Sequence, residues 1–209
     1  MSRISRNLKS RKNNKMSRDE RLKQLTKLGV EACATRGIQR ATHADIAELA
    51  GISIPTVFSY FPNSEILLDA VLDEVSSYFI TLLTETSEKF SDKTARERVI
   101  EMVKACTRLR EPGPSYIIVL ISWGALIRSP VWKKFQEFYD ETINIFCGEL
   151  EKGIKDASVP KGLDTHEAAT IIVGETNMIA MMAFSTERKR INNFIVHYVD
   201  AALRFQLEC

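Results

Sequence analysis

The stretch THADIAELAGISIPTVFSYFP, residues 42–62, decides the fold. It opens with Thr42 and has Asp45 three residues later, which is the spacing of a capping box, where a hydroxyl and a carboxylate bind the free amides of a helix start. Small and apolar residues then run to Gly51, a residue that commonly ends a helix. The first half of the stretch therefore predicts one short helix.

The second half predicts another short helix directly after a tight turn. Ser53 is expected to cap it, and Pro55 falls in its first turn, where the missing amide proton costs nothing. The helix is expected to reach about Tyr60 or Phe61. Two short helices joined by such a turn are a helix-turn-helix, although helical hairpins also occur in proteins that never bind DNA.

A third helix is predicted before this pair and a long one after it. Ser17 and Glu20 form another capping-box pattern, and Gly37 indicates an end near Thr35 or Arg36. The residues from Pro62 to Ser64 interrupt the helical pattern, and apolar residues at helical spacing then follow from Ile66 to Leu83. Helical periodicity returns at residues 94–110, 114–127, 130–152, 164–184 and 187–206, without a convincing strand. The sequence predicts an all-α protein.

Charge is distributed unevenly along the 209 residues. The first 50 residues hold 12 of the 29 Lys and Arg but only 5 of the 27 Asp and Glu. Residues 1–16 are basic, contain no acid, and are expected to form a flexible arm. This segregation favours an anionic partner, most commonly DNA, although a solvated tail explains the first residues nearly as well.

Several classes of protein are disfavoured. The most apolar run, Tyr116 to Ile127, is far shorter than the ~20 residues that cross a bilayer, and no apolar segment of a signal peptide follows the basic start. We therefore expect a cytoplasmic protein. The cysteines are dispersed and expected to be reduced, at least two of them in the core. The three histidines are dispersed and no phosphate-binding loop is present, so we expect no enzyme, cofactor or metal site.

The second helix of the pair suits the major groove of DNA. A groove about 12 Å wide requires a slim helix face with donors, acceptors or methyl-contacting groups. Such residues are Ser53, Ile54, Pro55, Thr56 and Ser59. Tyr60 is expected to place its hydroxyl on a phosphate, with a half-buried core aromatic as the alternative. Thr42 and His43 lie at a positive helix end that suits a phosphate.

The run from Arg36-Gly-Ile to Tyr60-Phe-Pro62 resembles the DNA-binding domain of TetR-family regulators. Within that family it is most similar to the vibrio quorum-sensing master regulators of the LuxR/HapR type, which share the His43-Ala-Asp-Ile-Ala-Glu run and a segment like Thr56 to Pro62. The likeness extends to Trp123 and the Val131-Trp132 pair.

The resemblance implies an N-terminal three-helix DNA-binding domain linked by a long helix to a larger helical ligand-binding and dimerisation domain. The boundaries are then 1–16 for the arm, 17–62 for the DNA-binding domain and 63–209 for the regulatory domain. It also implies a homodimer on a near-palindromic operator, formed by the last two long helices, and an arm that reaches the minor groove through Arg11, Lys12 and Lys15. The apolar stripes expected in the dimer, with monomer core as the alternative, are Ile171, Ile172, Ile179, Met182, Ala183, Ile191, Phe194, Ile195, Tyr198, Val199, Ala202 and Phe205.

Family members usually hold a small molecule among their C-terminal helices. By position, the lining would comprise Phe79, Leu82, Leu83, Trp123, Tyr139, Ile143 and Phe146, with a plain packed core as the alternative for each. Asn177 or Glu175 could supply a polar contact. Two other functions stay open: a local drug- or metabolite-responsive repressor in place of a global quorum-sensing regulator, and an all-helical metabolite-binding protein or enzyme.

Overall fold

The computed structural model describes residues 16–110 and 112–204. This part of the chain folds into nine α-helices without a strand, as the sequence predicts. In chain order they are α1 (Arg18–Arg36), α2 (His43–Ala50), α3 (Ile54–Phe58), α4 (Ser64–Lys89), α5 (Ala95–Cys106), α6 (Gly113–Gly124), α7 (Trp132–Lys155), α8 (Thr165–Met182) and α9 (Arg188–Ala202).

Both predicted capping boxes are present. The Ser17 hydroxyl accepts a hydrogen bond from the Glu20 amide at 3.1 Å, and the Glu20 carboxylate accepts one from the Ser17 amide at 2.7 Å. At the start of α2, the Asp45 carboxylate accepts a bond from the Thr42 amide at 2.8 Å. These side chains satisfy amides that a helix start leaves without partners, and so fix where α1 and α2 begin.

The third helix differs from the prediction. It ends at Phe58, earlier than Tyr60 or Phe61, and Ser53 caps none of its amides with its side chain. The Ser53 hydroxyl instead lies 2.8 Å from the Thr56 hydroxyl. Since Thr56 also offers a hydroxyl three residues on, the two side chains bind each other in preference to the backbone. The chain continues as turns up to Phe61, whose side chain is buried.

Helix α1 packs on α4 and on α6, and α2 packs between α1 and α3. Gly29 permits the close approach of α1 to α4, because a Cβ atom there would lie 2.7 Å from a methyl carbon of Val71. Gly51 ends α2 with a left-handed φ of 64°, a conformation that glycine adopts without steric cost. This residue sets the direction in which the chain enters α3.

Helices α4 to α9 surround a second part of the core. A buried ion pair lies within it: the Arg98 guanidinium on α5 donates to the Glu149 carboxylate on α7 at 2.7 Å. Ser87 on α4 donates to the same carboxylate at 2.7 Å. Three helices are therefore joined at one carboxylate. In the described ranges, no helix has the length and apolar character needed to span a bilayer.

Candidate DNA-binding surface and ligand cavity

Helices α2 and α3 form a compact helix-turn-helix. The Gly51 amide donates to the Glu48 carbonyl at 3.2 Å, and the Ile52 amide donates to the Ala47 carbonyl at 3.0 Å, so the turn directly continues the end of α2. Val57 is fully buried beneath α3. The short helix is thereby held against the rest of the domain by one face, and its opposite face is open to solvent.

The open face carries the residues that the sequence singles out for base contacts. All five are exposed: Ser53, Ile54, Pro55, Thr56 and Ser59. The Ser59 hydroxyl donates to the Thr56 carbonyl at 2.6 Å. Because that bond uses its proton, the hydroxyl presents lone pairs outward and is arranged to accept a hydrogen bond from a base.

Thr42 is exposed beside this face, at the N-terminus of α2. Its hydroxyl donates to the Asp45 carboxylate at 2.6 Å. Hydrogen bonds from the Thr42 side chain and amide hold the pKa of Asp45 below its usual range. The Arg36 side chain, at the end of α1, lies 3.2 Å from the same carboxylate and links the end of α1 to the start of α2.

The sequence places His43 at the positive end of α2, where a phosphate contact stays a prediction, and the His43 side chain itself turns into the domain. This side chain is only 5% exposed, and its Nε2 atom lies 2.7 Å from the Phe61 carbonyl oxygen. Its ring stacks on Phe58, with ring centroids 4.0 Å apart. A side chain enclosed in this way does not reach a phosphate outside the domain.

Tyr60 is half-buried, and the Arg18 guanidinium lies 5.9 Å from the centre of its ring. The half-buried ring agrees with the alternative of a half-buried core aromatic, and the contact of the Tyr60 hydroxyl with a phosphate stays a prediction. The arm residues Arg11, Lys12 and Lys15 lie outside the described residues.

Sequence reasoning missed Phe58. Its side chain is 45% exposed on the open face of α3, one helical turn after Ile54, which is 44% exposed. The signal was available, because residues four apart lie on the same side of a helix. Apolar residues in a helix-turn-helix usually pack in the core, and for that reason the exposed position of Phe58 was not predicted.

An apolar cavity of about 40 Å³ lies among α4, α6, α7 and α8. Four of the predicted ligand residues line it: Phe79, Leu83, Tyr139 and Phe146. Its polar lining includes Thr176 and Asn177 on α8. The predicted polar residue Asn177 thus borders the cavity, whereas Glu175 does not.

Three predicted ligand residues lie elsewhere. Trp123 is fully buried beside Phe135, and its indole donates to the Val131 carbonyl at 3.0 Å, so it is a core residue. Ile143 is also buried without lining the cavity. Leu82 borders a shallow surface groove on the outside of α4. Spacing along a helix identifies apolar positions but does not tell a cavity wall from packed core.

A cleft of about 580 Å³ opens beside the cavity. The two share five wall residues, which are Leu120, Ile121, Phe135, Tyr139 and Asn177. The cleft adds the polar side chains of Gln136 and Asp140. The cavity and the cleft are therefore neighbours that are separated by shared side chains.

Helices α8 and α9 expose several large apolar side chains, which are mostly not those of the predicted stripes. Most stripe residues are monomer core, among them Ile172, Ile179, Ile191, Ile195 and Val199, each at most 1% exposed. Phe205 lies outside the described residues. The large apolar residues exposed on or next to these helices are Met178, Met181, Phe184 and Phe194, of which only Phe194 was predicted.

The thiols match the expectation of reduced cysteines in the core. Cys33, Cys106 and Cys147 form no disulfide, and the first two are buried. Burial raises the pKa of Cys33 and of Cys106 to about 12. Within the described part of the chain, no group of His, Cys, Asp and Glu is arranged to hold a metal ion.

Comparison with known proteins finds a family match in the N-terminal region. The family described as "Bacterial regulatory proteins, tetR family" matches residues 25–71. The chain is 38% identical over 116 residues to the HTH-type transcriptional regulator LuxR of Vibrio harveyi, a match that covers 56% of each protein. It is 26% identical over 151 residues to the fatty acid metabolism regulator protein of Bacillus subtilis, covering 72% of this chain and 77% of the relative.

Solved structures share the fold. A TetR-family regulator from Rhodococcus superposes with a TM-score of 0.74 at 16% identity, over 88% of this chain and 99% of that one. FadR from Bacillus subtilis, in complex with stearoyl-CoA, has a TM-score of 0.70 at 21% identity, over 86% and 98% of the two chains. The family matched by residues 25–71 is described as one of regulatory proteins. By these matches, residues 25–71 are similar to the TetR family of bacterial regulatory proteins, and the chain shares the fold of solved members of that family.

Proposed function

We propose that the protein is a homodimeric transcription regulator that binds a near-palindromic DNA operator in the cytoplasm. The observation that carries the proposal is the open face of α3, a slim surface of small hydroxyl, apolar and aromatic side chains on a helix held by its buried face. Such a helix fits the major groove, where base edges differ in donors, acceptors and methyl groups. The family of residues 25–71 supports the same function.

A dimer supplies the second recognition helix that a palindromic site requires. The exposed residues Met178, Met181, Phe184 and Phe194 support an interface on α8 and α9, because exposed large apolar side chains grouped on neighbouring helices commonly mark a contact site. Two copies of α8 and α9 then pack together as four helices. The dimer holds the two α3 helices at a fixed spacing.

The basic arm is part of this proposal. Arg11, Lys12 and Lys15 bind DNA beside the site read by α3, in the minor groove or through phosphates. Replacing all three by Ala is expected to lower affinity for every sequence and to reduce the salt slope of binding by up to about 3, one for each phosphate that the arm neutralises. Affinity measured across a series of salt concentrations tests this role, and an unchanged slope would exclude it.

A small apolar ligand regulates DNA binding from the cavity and cleft. The cavity of about 40 Å³ is much smaller than the usual ligand pocket of about 300–1,000 Å³, whereas the adjoining cleft of about 580 Å³ lies within that range. The ligand therefore occupies the cleft and inserts an apolar group between α6, α7 and α8. Because α6 both lines the cavity and packs on α1, its displacement moves the DNA-binding domain.

Selection of bound fragments from genomic DNA tests the function. The purified protein is incubated with the fragments and competitor DNA at near-physiological salt, and the bound fraction is sequenced. Enrichment of a near-palindromic motif is the expected result. Many dispersed sites would indicate a global regulator of the quorum-sensing type. A single site beside the gene of the regulator itself would indicate a local repressor. Absence of any enriched motif, with and without cell extract as a source of ligand, would contradict the proposal.

A further inference from the structure

His43 lies at the junction of three helices. It is the first residue of α2, its ring stacks on Phe58 at the end of α3, and its Nε2 atom lies 2.7 Å from the carbonyl of Phe61, just before α4. The two rings are nearly parallel, with an interplanar angle of 6°. One side chain therefore connects the start of the helix-turn-helix to its end.

The hydrogen bond determines where His43 carries a proton. A carbonyl oxygen only accepts, so Nε2 must be the protonated nitrogen in this arrangement. The bond also satisfies a carbonyl that follows α3 in the turn. Replacing His43 by a residue without a donor at this distance removes this hydrogen bond from the Phe61 carbonyl.

Helix α3 depends on such contacts. It has five residues and no side-chain hydrogen bond at its N-cap, and isolated helices of this length do not form in water. Buried Val57 attaches its inner face. The outer aromatic, Phe58, is 45% exposed and has its ring supported from beneath by the His43 ring. The imidazole thus limits the orientations available to Phe58.

We propose that His43 is a positioning residue for operator recognition, which holds Phe58 and the end of α3 in the orientation that reads bases. This inference rests on the proposed DNA-binding function. Phe58 and Ile54 form an apolar strip suited to thymine methyl groups in the major groove. Loss of the support therefore lowers affinity for the operator more than affinity for random DNA, since phosphate contacts dominate nonspecific binding.

The test separates the two contacts of His43. His43→Gln keeps an amide donor for the Phe61 carbonyl but removes the ring, His43→Phe keeps a stacking ring but removes the donor, and His43→Ala removes both. Dissociation constants are measured by fluorescence anisotropy for the selected operator and for a random duplex of equal length. Thermal unfolding of each variant is recorded in parallel. Val30→Ala, at a fully buried position of α1, is the matched control for reduced stability.

The expected result is a loss of specificity. The ratio of random to operator dissociation constants falls about tenfold or more in His43→Ala, comparable to the effect of one mismatched base pair, and less in the other two variants. Affinity for random DNA stays within about twofold, and Val30→Ala keeps the wild-type ratio at matched stability. The proton signals of the Phe58 ring shift in His43→Gln, because the stacked imidazole is absent.

Two outcomes overturn the inference. An unchanged ratio in both His43→Gln and His43→Phe would do so, as would a ratio that tracks thermal stability equally in Val30→Ala. If His43→Ala does not fold, the other two variants decide the question. Failure of the wild-type protein to discriminate the operator would instead overturn the proposed function itself.

Discussion

The Ser59 side chain is held in one orientation by a hydrogen bond to the preceding turn of the chain. Its hydroxyl is exposed and already donates to the Thr56 carbonyl, so its rotation is restricted before DNA arrives. Exposure of such residues follows from the sequence, because a short polar face opposite Val57 can only face solvent. The contact of His43 with Phe61 spans 18 positions and could not be predicted from local spacing. A tertiary hydrogen bond of this kind leaves no periodic pattern.

Replacing Ser59 by Arg is expected to abolish operator binding. The long side chain would stand on the narrow face that enters the groove, while helicity and dimerisation stay intact because the position is exposed. Electrophoretic mobility shifts with the selected operator, together with circular dichroism and light scattering, test this. Ser77→Arg, at an exposed position of α4, is the charge-matched control. Specific binding by Ser59→Arg would exclude α3 as the recognition helix.

The cysteines are expected to differ in reactivity. Cys147 is half-buried, whereas burial raises the pKa of Cys33 and Cys106 to about 12. Thiolates are the reactive form, so iodoacetamide at about pH 8 should modify Cys147 before the two buried thiols. Peptide mass spectrometry over a time course measures each site separately. Equal rates at the three sites in the folded protein would contradict the described core.

At the scale of elements, helix starts could be predicted more reliably than packing faces. Capping boxes at Ser17 and Thr42 fix α1 and α2, because the signal lies within four residues of sequence. The role of α6 depends on its neighbours: one side lines the cavity, and Tyr116 donates to Glu74 on α4 at 2.7 Å. Such contacts arise from tertiary packing and are not visible in the sequence. For the same reason, the sequence could not show whether Trp123 of α6 lies in the packed core or lines the cavity.

The Arg98–Glu149 pair is expected to make the free energy of unfolding depend on pH. Burial acts to raise the pKa of Glu149, but hydrogen bonds from Lys152, Arg98 and Ser87 outweigh it and leave the pKa below its usual value. A lowered folded-state pKa gives stability that is present above the unfolded pKa and is lost as the pH falls through the folded value. Stability is therefore expected to decline below about pH 4.

Glu149→Gln tests this dependence. At about pH 7 it should lower the free energy of unfolding by roughly 3–5 kcal/mol, because the buried Arg98 charge is left uncompensated. The difference from wild type should shrink as the pH falls from about 5 towards 3. Urea unfolding at several pH values measures it, with Glu141→Gln on the exposed face of α7 as control. A difference that does not change with pH would contradict the assigned charge state.

For the whole molecule, the fold class could be predicted but the dimer surface could not. Helical periodicity in the last part of the chain identified α8 and α9, yet most of the apolar stripe faces the monomer core, as Ile179 and Ile195 show. Periodicity measures amphipathicity and does not say what covers the apolar side. Which apolar residues stay exposed, such as Met181 and Phe184, can be seen only once the packing of the core is known.

The double variant Met181→Glu, Phe184→Glu is expected to be monomeric. Acidic groups on the proposed interface would have to lose their hydration in a dimer, which is unfavourable without partners. Light scattering after size exclusion measures the mass, and operator affinity should fall with it, because each monomer reads only one half-site. Ile127→Glu, where the side chain is 64% exposed in the loop between α6 and α7, is the matched control. A dimeric double variant would place the interface elsewhere.

Thr56→Asp is the sharpest test of the proposal that α3 reads the operator. Thr56 is exposed at the middle of α3, so an added carboxylate changes the reading face without disturbing the buried Val57. Affinity for the selected operator is measured by fluorescence anisotropy, with helicity and mass checked on the same sample. Specific binding is expected to be abolished while the protein stays folded and dimeric. Wild-type affinity and sequence preference in the folded variant would contradict the proposal.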